Sequence, residues 1–363
     1  MPSARMRTRE WKVLTPPIAG PAVSTHRATA ATVCRLPAGI IHYKRMAKLL
    51  LILIAGLPTA AWAQPSGEDA ARIADIGWVL YVGATAIFVG VAALIALSMF
   101  GPAPLRHRIS RPALIVGAGI VFPVVALTAL LVYVLTPSPT AAREAAYAAR
   151  IEVTGELWWW RVRYLDAQGG LLFETANEIR IPTGKPVQFL LKSGNVIHSF
   201  WIPELGGKLD MIPGRVNTMR ALARTPGTFR GHCAEYCGAQ HAQMRFDVQA
   251  VDAAAFDAWV QAQRQPARAA EPALRQGERL FVQACAQCHT VRGTAAGGML
   301  GPDLTHIGSR PTLAAGILPN NVGAMGGWIA GSQQIKPGNA MPSFDRWPGE
   351  DLRAVAHYLE SLK

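Results

Sequence analysis

The chain is short of charge of either sign, and its cysteines are few and unevenly placed. Charged residues fill 16% of its 363 positions, aromatic residues 8%, and there are five cysteines. Four of the five fall in two tight pairs, Cys233/Cys237 and Cys285/Cys288, each with histidine close by. That grouping excludes a distributed disulfide framework and points to metal or haem. Cys34 stands alone, in a segment expected to be absent from the mature protein. No internal repeat of fixed period occurs, which sets aside solenoid architectures. The formal net charge of +13 is concentrated at one end: residues 1–63 contribute +8 and the remainder +5. Nothing in that balance calls for nucleic acid as a partner.

Two stretches lack charge altogether. Ile76–Phe100 and Pro112–Thr136 each run for 25 residues without an acid or a base, long enough for membrane helices of about 20 residues with some tilt. Arg106, His107, Arg108 and Arg111 lie between them, which by the positive-inside rule sets that loop in the cytoplasm and both outer ends on the exported side. Pro123 is expected to kink the second helix, as bilayer helices tolerate. Upstream, residues 1–45 show no apolar periodicity. Lys44-Arg45-Met46-Ala47-Lys48 then leads into Leu49–Leu57 and the small-x-small Ala61-Trp62-Ala63, the pattern of a secretory signal peptide. Met46 is read as the start and Gln64 as the mature N-terminus. The rival reading, a third membrane helix, meets an apolar run too short to span.

Beyond Pro137-Ser138-Pro139 come short alternating runs: Ile151–Thr154, Leu157–Tyr164, Glu178–Ile181, Val187–Leu191, Val216–Ala221 and Phe246–Val251. Gly169-Gly170, Pro182-Thr183-Gly184 and Pro226-Gly227 separate them, predicting an antiparallel sandwich. Val251–Gln263 reads as a helix with Phe256, Trp259 and Val260 on one face. Gln265–Pro272 reads as a polar, proline-bounded linker to a further unit.

Within the sandwich region, Cys233-Ala234-Glu235-Tyr236-Cys237-Gly238-Ala239-Gln240-His241-Ala242-Gln243-Met244 sets two thiols, a carboxylate, an imidazole and a thioether in twelve residues, and His198 stands 35 residues upstream. Soft sulfur with imidazoles and a weak methionine is the donor set of copper electron-transfer sites. One copper needs one thiolate, so two bridging-capable cysteines suit a dinuclear centre. The rival reading is a Cys233–Cys237 disulfide with His241 and Met244 incidental.

This segment resembles the CuA site of cytochrome c oxidase subunit II. The resemblance implies copper binding by the side chains of His198, Cys233, Cys237, His241 and Met244 and by the backbone carbonyl of Glu235, on a cupredoxin-type sandwich. It also implies a magnesium held by the Glu235 side chain at the border with subunit I, and assigns Lys208–Arg215 to that interface. Leu157-Trp158-Trp159-Trp160 resembles the family's aromatic segment, with Trp160 as the candidate for electron input and transfer. As strand neighbours, Trp158 and Trp160 would share a face. Many relatives carry a glutamate early in the second membrane helix; aligned on Pro123, this chain has Val116 there and no acid within Arg111–Thr136.

Cys285-Ala286-Gln287-Cys288-His289 is C-x-x-C-H, the attachment motif of c-type haem, at the end of a predicted helix Pro272–Ala284. A zinc reading would need two further ligands at close spacing, and none is offered. The segment resembles a class I cytochrome c: Gly301-Pro302-Asp303-Leu304 matches the family's second motif, whose proline carbonyl accepts the haem histidine's other N–H. Asn339-Ala340-Met341-Pro342 matches its sixth-ligand loop. The resemblance makes Cys285 and Cys288 the haem anchors and His289 and Met341 the iron ligands, with Met299 and Met325 as rivals lacking the following proline. A closing helix is expected at Glu350–Leu362. His232, His306 and His357 are read as unliganded.

The expected fold is therefore multidomain. Residues 1–63 form an extension and signal peptide, 64–137 a two-helix transmembrane hairpin, 138–251 an all-β cupredoxin-like sandwich, 252–271 a helix and linker, and 272–363 an all-α class I cytochrome c domain. The combination resembles the fused subunit II of caa-type cytochrome c oxidases. That likeness implies electron transfer from a soluble or membrane cytochrome c, through covalent haem c and CuA, to the haem-copper centre of subunit I, where oxygen is reduced to water and protons are pumped. It implies subunits I and III and the lipid bilayer as partners, and a multi-pass place in the bacterial inner membrane with both redox domains outside. Two other readings stand beside it: a CuA-bearing subunit of a nitric oxide reductase, and a membrane-anchored copper-handling protein. The copper unit (net +3) and the haem unit (net +2) lack the excess acid that would steer a basic donor.

Overall fold

The structure, a computed structural model, describes residues 65–136 and 146–363. The expected signal peptide, Cys34, Gln64 and the Pro137-Ser138-Pro139 turn lie outside the described residues. Among the described residues, two helices are long and apolar enough to cross a membrane: α1, Glu68–Phe100, and a second span, Pro112–Leu135. The first starts eight residues before its uncharged run, because Glu68 and Asp69 fill its first turn, where the helix dipole favours acids. Its start is held by the sandwich: Gly67 N–H donates to Glu204 O at 2.8 Å, and Arg220 Nη1 meets Glu68 Oε2 at 3.1 Å. The short helix α2, Ala103–Ile109, carries Arg106, His107 and Arg108 between the spans. In the second span (α3) Pro123 opens a regular helix, Phe122–Leu135, after a π-helical turn at Gly117–Val121. Proline supplies no N–H and crowds the carbonyl one turn earlier, and the wider turn accommodates that.

The sandwich comprises two five-stranded sheets. One runs β3 (Leu171–Ala176), β2 (Trp159–Leu165), β1 (Ala149–Glu156), β5 (Val187–Ser193), β8 (Asn217–Ala221). The other runs β4 (Glu178–Pro182), β10 (Arg245–Val251), β9 (Gly227–Cys233), β6 (His198–Trp201), β7 (Leu209–Met211). The sheets are mixed, since β1/β5 and β10/β4 pair in parallel. Alternation puts Ile151 and Val153 of β1 inside, in one core with Phe200 and Phe246 of the other sheet. Strand β9 has no apolar alternation because its inward positions are Phe229, Gly231 and Cys233. A Cβ on Gly231 would stand 2.0 Å from the Phe246 ring, so the aromatic takes the place of a side chain.

Helix α4, Ala253–Arg264, is N-capped by Asp252, whose Oδ1 accepts from Ala255 N–H at 2.8 Å. It seals one end of the sandwich: Trp259 meets Tyr164 and Phe173 edge-on, at ring separations of 5.2 and 5.3 Å. The haem-motif unit follows: α5 (Arg275–Ala284), a small hairpin of β11 (Thr312–Leu313) and β12 (Leu318–Pro319), α6 (Val322–Ile335) and α7 (Gly349–Ser361). Helices α5 and α7 cross closely at Gly277, where a Cβ would stand 2.1 Å from Ala354 O. Helix α6 has four glycines, which hide it from propensity. Its buried face, Met325, Ile329 and Ser332, has helical spacing, and Asn321 caps it.

Candidate functional site

At one end of the sandwich, β6 delivers His198 and the β9–β10 loop delivers the remaining donors of the cysteine-rich segment. Cys233 and Cys237 are free, with sulfurs 3.8 Å apart, nearly twice a disulfide bond. His198 Nδ1 lies 3.8 Å from Cys233 Sγ, and His241 Nδ1 lies 3.5 Å from Cys237 Sγ. Met244 Sδ is 3.9 Å from Cys237 Sγ, and Glu235 O is 3.3 Å from Cys233 Sγ. The four other groups thus converge on the two sulfurs, one imidazole to each. The His198 ring is fixed by Asn195 Oδ1 at 3.0 Å from Nε2 and by Gly155 beneath it, where a Cβ would stand 2.7 Å from Cδ2. Hydrogen bonding to Cys237, and then to His198, holds the Cys233 thiol far below its ordinary pKa, whereas the same contact with Cys233 and burial push Cys237 up. Of the two, Cys233 gives up its proton the more readily and Cys237 holds its proton the more tightly. Two soft, readily bridged sulfurs with an imidazole apiece fit a pair of coppers.

The three tryptophans do not alternate along one strand as predicted. Leu157 and Trp158 form the β1–β2 turn, and the strand begins at Trp159. Trp160 points into the core, fully buried, its ring 6.2 Å from His198 and 5.0 Å from Phe246. Trp158 instead lies over the cysteine loop: its indole N–H donates to Cys237 O at 2.9 Å, and its ring edge approaches Gly238, which has φ of 114°.

The C-x-x-C-H segment closes α5, with Cys288 N–H and His289 N–H both donating to Cys285 O, at 3.1 and 3.0 Å. His289 Nδ1 donates to Pro302 O at 2.9 Å, leaving Nε2 as the basic nitrogen, and burial lowers the ring's pKa, favouring its uncharged form. Gly301 is required for this approach, since a Cβ there would stand 2.5 Å from His289 Cε1. Met341 is held by its backbone: its carbonyl accepts from Gln333 Nε2 at 2.7 Å and Ser332 Oγ at 2.8 Å. Cys285, Cys288, His289 and Met341 all line one cavity of about 440 Å³. Met325 also lines it, from the core, whereas Met299 is exposed. Free thiols, a neutral imidazole with an available nitrogen and a thioether on one cavity fit a covalently attached haem.

The same cavity is walled by Leu157, Trp158 and Trp159 of the sandwich. The two units therefore meet at the haem-motif cavity, through contacts that no sequence signal announces. Lys336, buried beside Trp158, donates from Nζ to Trp158 O at 2.7 Å, Gln243 O at 2.9 Å and Ala314 O at 3.3 Å. Gln240 Nε2 donates to Pro337 O at 2.8 Å, and Arg161 Nη2 to Met299 O at 3.0 Å. Deeper in, Arg310 Nε and Glu178 Oε1 lie 3.9 Å apart, and burial raises the Glu178 pKa against the pull of Arg310. His306 is buried with Nε2 3.1 Å from Gln265 O, and His357 is exposed. His232 is half-buried, and burial lowers its pKa.

Two soft-donor sites on one chain with two apolar spans define a class: membrane-anchored electron-transfer proteins that join a cupredoxin-like copper domain to a c-type cytochrome. The family described as "Cytochrome C oxidase subunit II, periplasmic domain" matches residues 162–251, and "Cytochrome c" matches residues 274–363. Cytochrome c oxidase subunit 2 of Alkalihalophilus pseudofirmus is 38% identical over 256 residues, covering 67% of this chain and 71% of that protein. Its Bacillus subtilis counterpart is 33% identical over 240 residues, covering 63% and 66%. The crystal structure of the periplasmic domain of subunit II of cytochrome oxidase from Bradyrhizobium japonicum shares 30% identity, covering 34% of this chain and 97% of that one, with a TM-score of 0.31. The chain belongs to the cytochrome c oxidase subunit 2 family and carries a cytochrome c domain in addition. That membership implies a CuA copper centre, haem c, association with other oxidase subunits, and membrane anchoring with the redox domains outside. It favours the oxidase reading over the nitric oxide reductase and copper-handling readings.

Proposed function

We propose that His198, Cys233, Cys237, His241 and Met244, with the Glu235 carbonyl, hold the two coppers, and that Cys285 and Cys288 anchor a haem ligated by His289 and Met341. In this reading these groups supply one-electron chemistry, accepting electrons from a reduced cytochrome c and delivering them toward subunit I, where oxygen is reduced to water and protons are pumped. The chain's own residues tune and position that chemistry. The Cys233 and Cys237 sulfurs would hold the metals, the Pro302 carbonyl orients His289, and the Trp158 ring fills the space between cavity and cysteine loop.

The single observation that carries this reading is Trp158. It lines the cavity that faces Cys285, Cys288, His289 and Met341, and it hydrogen-bonds the Cys237 carbonyl at 2.9 Å. Electron transfer is accordingly assigned to Trp158 at the junction, with Trp160 supporting His198 from the core. The Glu235 side chain, half-exposed and 3.9 Å from Lys208 Nζ, is the proposed magnesium ligand, facing subunit I. Subunit III, a cytochrome c donor and a multi-pass place in the inner membrane complete the proposal. Stopped-flow mixing of the purified complex with reduced cytochrome c tests the order: the haem c band reduces first and the copper band follows. Copper reduction ahead of haem c would contradict it.

A further inference from the structure

Lys336 is 3% exposed and sits where three chain segments converge. An ammonium has three N–H donors and no acceptor, and each donor here meets a backbone carbonyl. Trp158 O comes from the β1–β2 turn, Gln243 O from the cysteine loop and Ala314 O from the haem-bearing unit. The Lys336 backbone belongs to the loop that carries Met341, and Asn339 Nδ2 donates to Lys336 O at 2.8 Å. The segment opposite is shaped to the same contact. Ala314 and Ala315 both take left-handed backbone, with φ of 53° and 61°, a strain that the surroundings must impose. Ala315 O in turn accepts from Arg245 N–H at 3.2 Å across the junction.

Burying a cation is costly, and an apolar side chain of similar size would bind two surfaces together at less expense. An apolar stem, however, cannot fix three carbonyls relative to one another. We propose that Lys336 is a positioning residue that locks the haem-bearing unit in one register on the copper loop, so that charge crosses a fixed gap rather than waiting for a tethered unit to dock. This inference rests on the haem-to-copper order proposed above. The gap it fixes is the one filled by the Trp158 ring, which lies between Gly238 of the cysteine loop and Gly338 of the methionine loop. A Cβ on Gly238 would stand 3.1 Å from that ring, and one on Gly338 would stand 3.6 Å from it.

The test compares wild type with Lys336→Met in the whole detergent-solubilised complex, following intramolecular electron transfer from flash-reduced haem c to copper at increasing solvent viscosity. Wild type transfers at a rate independent of viscosity. Lys336→Met slows by about ten-fold or more, because orientation is lost, and its rate falls as viscosity rises. Losing a cation beside Cys237 lowers the copper potential, so both potentials are measured in each protein and the rates are compared at equal driving force; the haem spectrum stays at its wild-type form. Independently of electron transfer, the Arg245 amide loses hydrogen-exchange protection in the variant. If Lys336→Met does not accumulate with both centres loaded, Lys336→Gln, with two donors on a shorter stem, is compared in the same way and shows the same trend more weakly. The inference is overturned by a variant rate equal to wild type, by a viscosity-dependent wild type, or by slowing that a shifted copper potential accounts for. If wild-type haem c passes no electron to copper at all, the underlying order fails instead, and the two failures are distinguishable.

Discussion

Gly155 shows how much of a metal site rests on a residue that binds nothing. Its missing side chain is the space taken by the His198 ring, with a Cβ position 2.7 Å from Cδ2. Gly155→Ala is expected to displace His198 and to lower copper content while the sandwich's circular dichroism persists; full copper loading would refute this. The sulfur pair makes a second prediction. Cys237 is pushed above its ordinary pKa and Cys233 below, so in the copper-free pair Cys237 holds a proton that metal must expel. Copper affinity therefore rises with pH, with measurable proton release on loading; an affinity flat in pH would contradict it. Tyr164 gives a third. Its hydroxyl donates to Arg180 O at 2.7 Å and accepts from Arg180 N–H at 2.8 Å inside the core. Tyr164→Phe leaves both backbone groups unpaired and costs about 1–3 kcal/mol in denaturant unfolding. The metal-ligand candidates are legible in the sequence because thiol, imidazole and thioether carry their chemistry in their identity. Gly155 and Lys336 are not, since a glycine's use is the neighbour it admits and a lysine's is the carbonyls it meets.

Among the elements, strands with alternating β-branched and apolar residues, such as β1 and β5, announce themselves. Strand β9 does not, because its core position Gly231 is filled by the ring of Phe246. The β1–β2 turn is hidden for a related reason. Three consecutive tryptophans read as strand, yet the turn takes Leu157 and Trp158, which moves Trp158 out of the sheet and over the cysteine loop. Helix α6 is masked by its glycines and recovered by tertiary burial of Met325 and Ile329. At the α5–α7 crossing, Gly277→Ala drives a methyl to 2.1 Å from Ala354 O. Separating the helices costs about 1–3 kcal/mol and lowers the melting temperature followed at the haem band, leaving the copper band's transition in place. A coincident loss at both bands would instead mean that the two units unfold together.

At the scale of the molecule, the order of units is readable from composition and motif: uncharged spans, alternating strands, then C-x-x-C-H. Their junction is not, because it is made of backbone carbonyls and single side chains from distant segments. The haem unit carries a net +2 and the copper unit +3, so neither steers a basic donor strongly, and turnover with reduced cytochrome c is expected to fall only weakly with ionic strength. The account as a whole depends on two coppers between Cys233 and Cys237 and one covalent haem beyond Trp158. Metal and haem analysis of the loaded complex, joined to its electron paramagnetic resonance spectrum, tests that most directly. The predicted result is two coppers of this type per covalent haem c, with one unpaired electron shared equally by both copper nuclei. A single localised copper, or a Cys233–Cys237 disulfide in fully loaded protein, would contradict it.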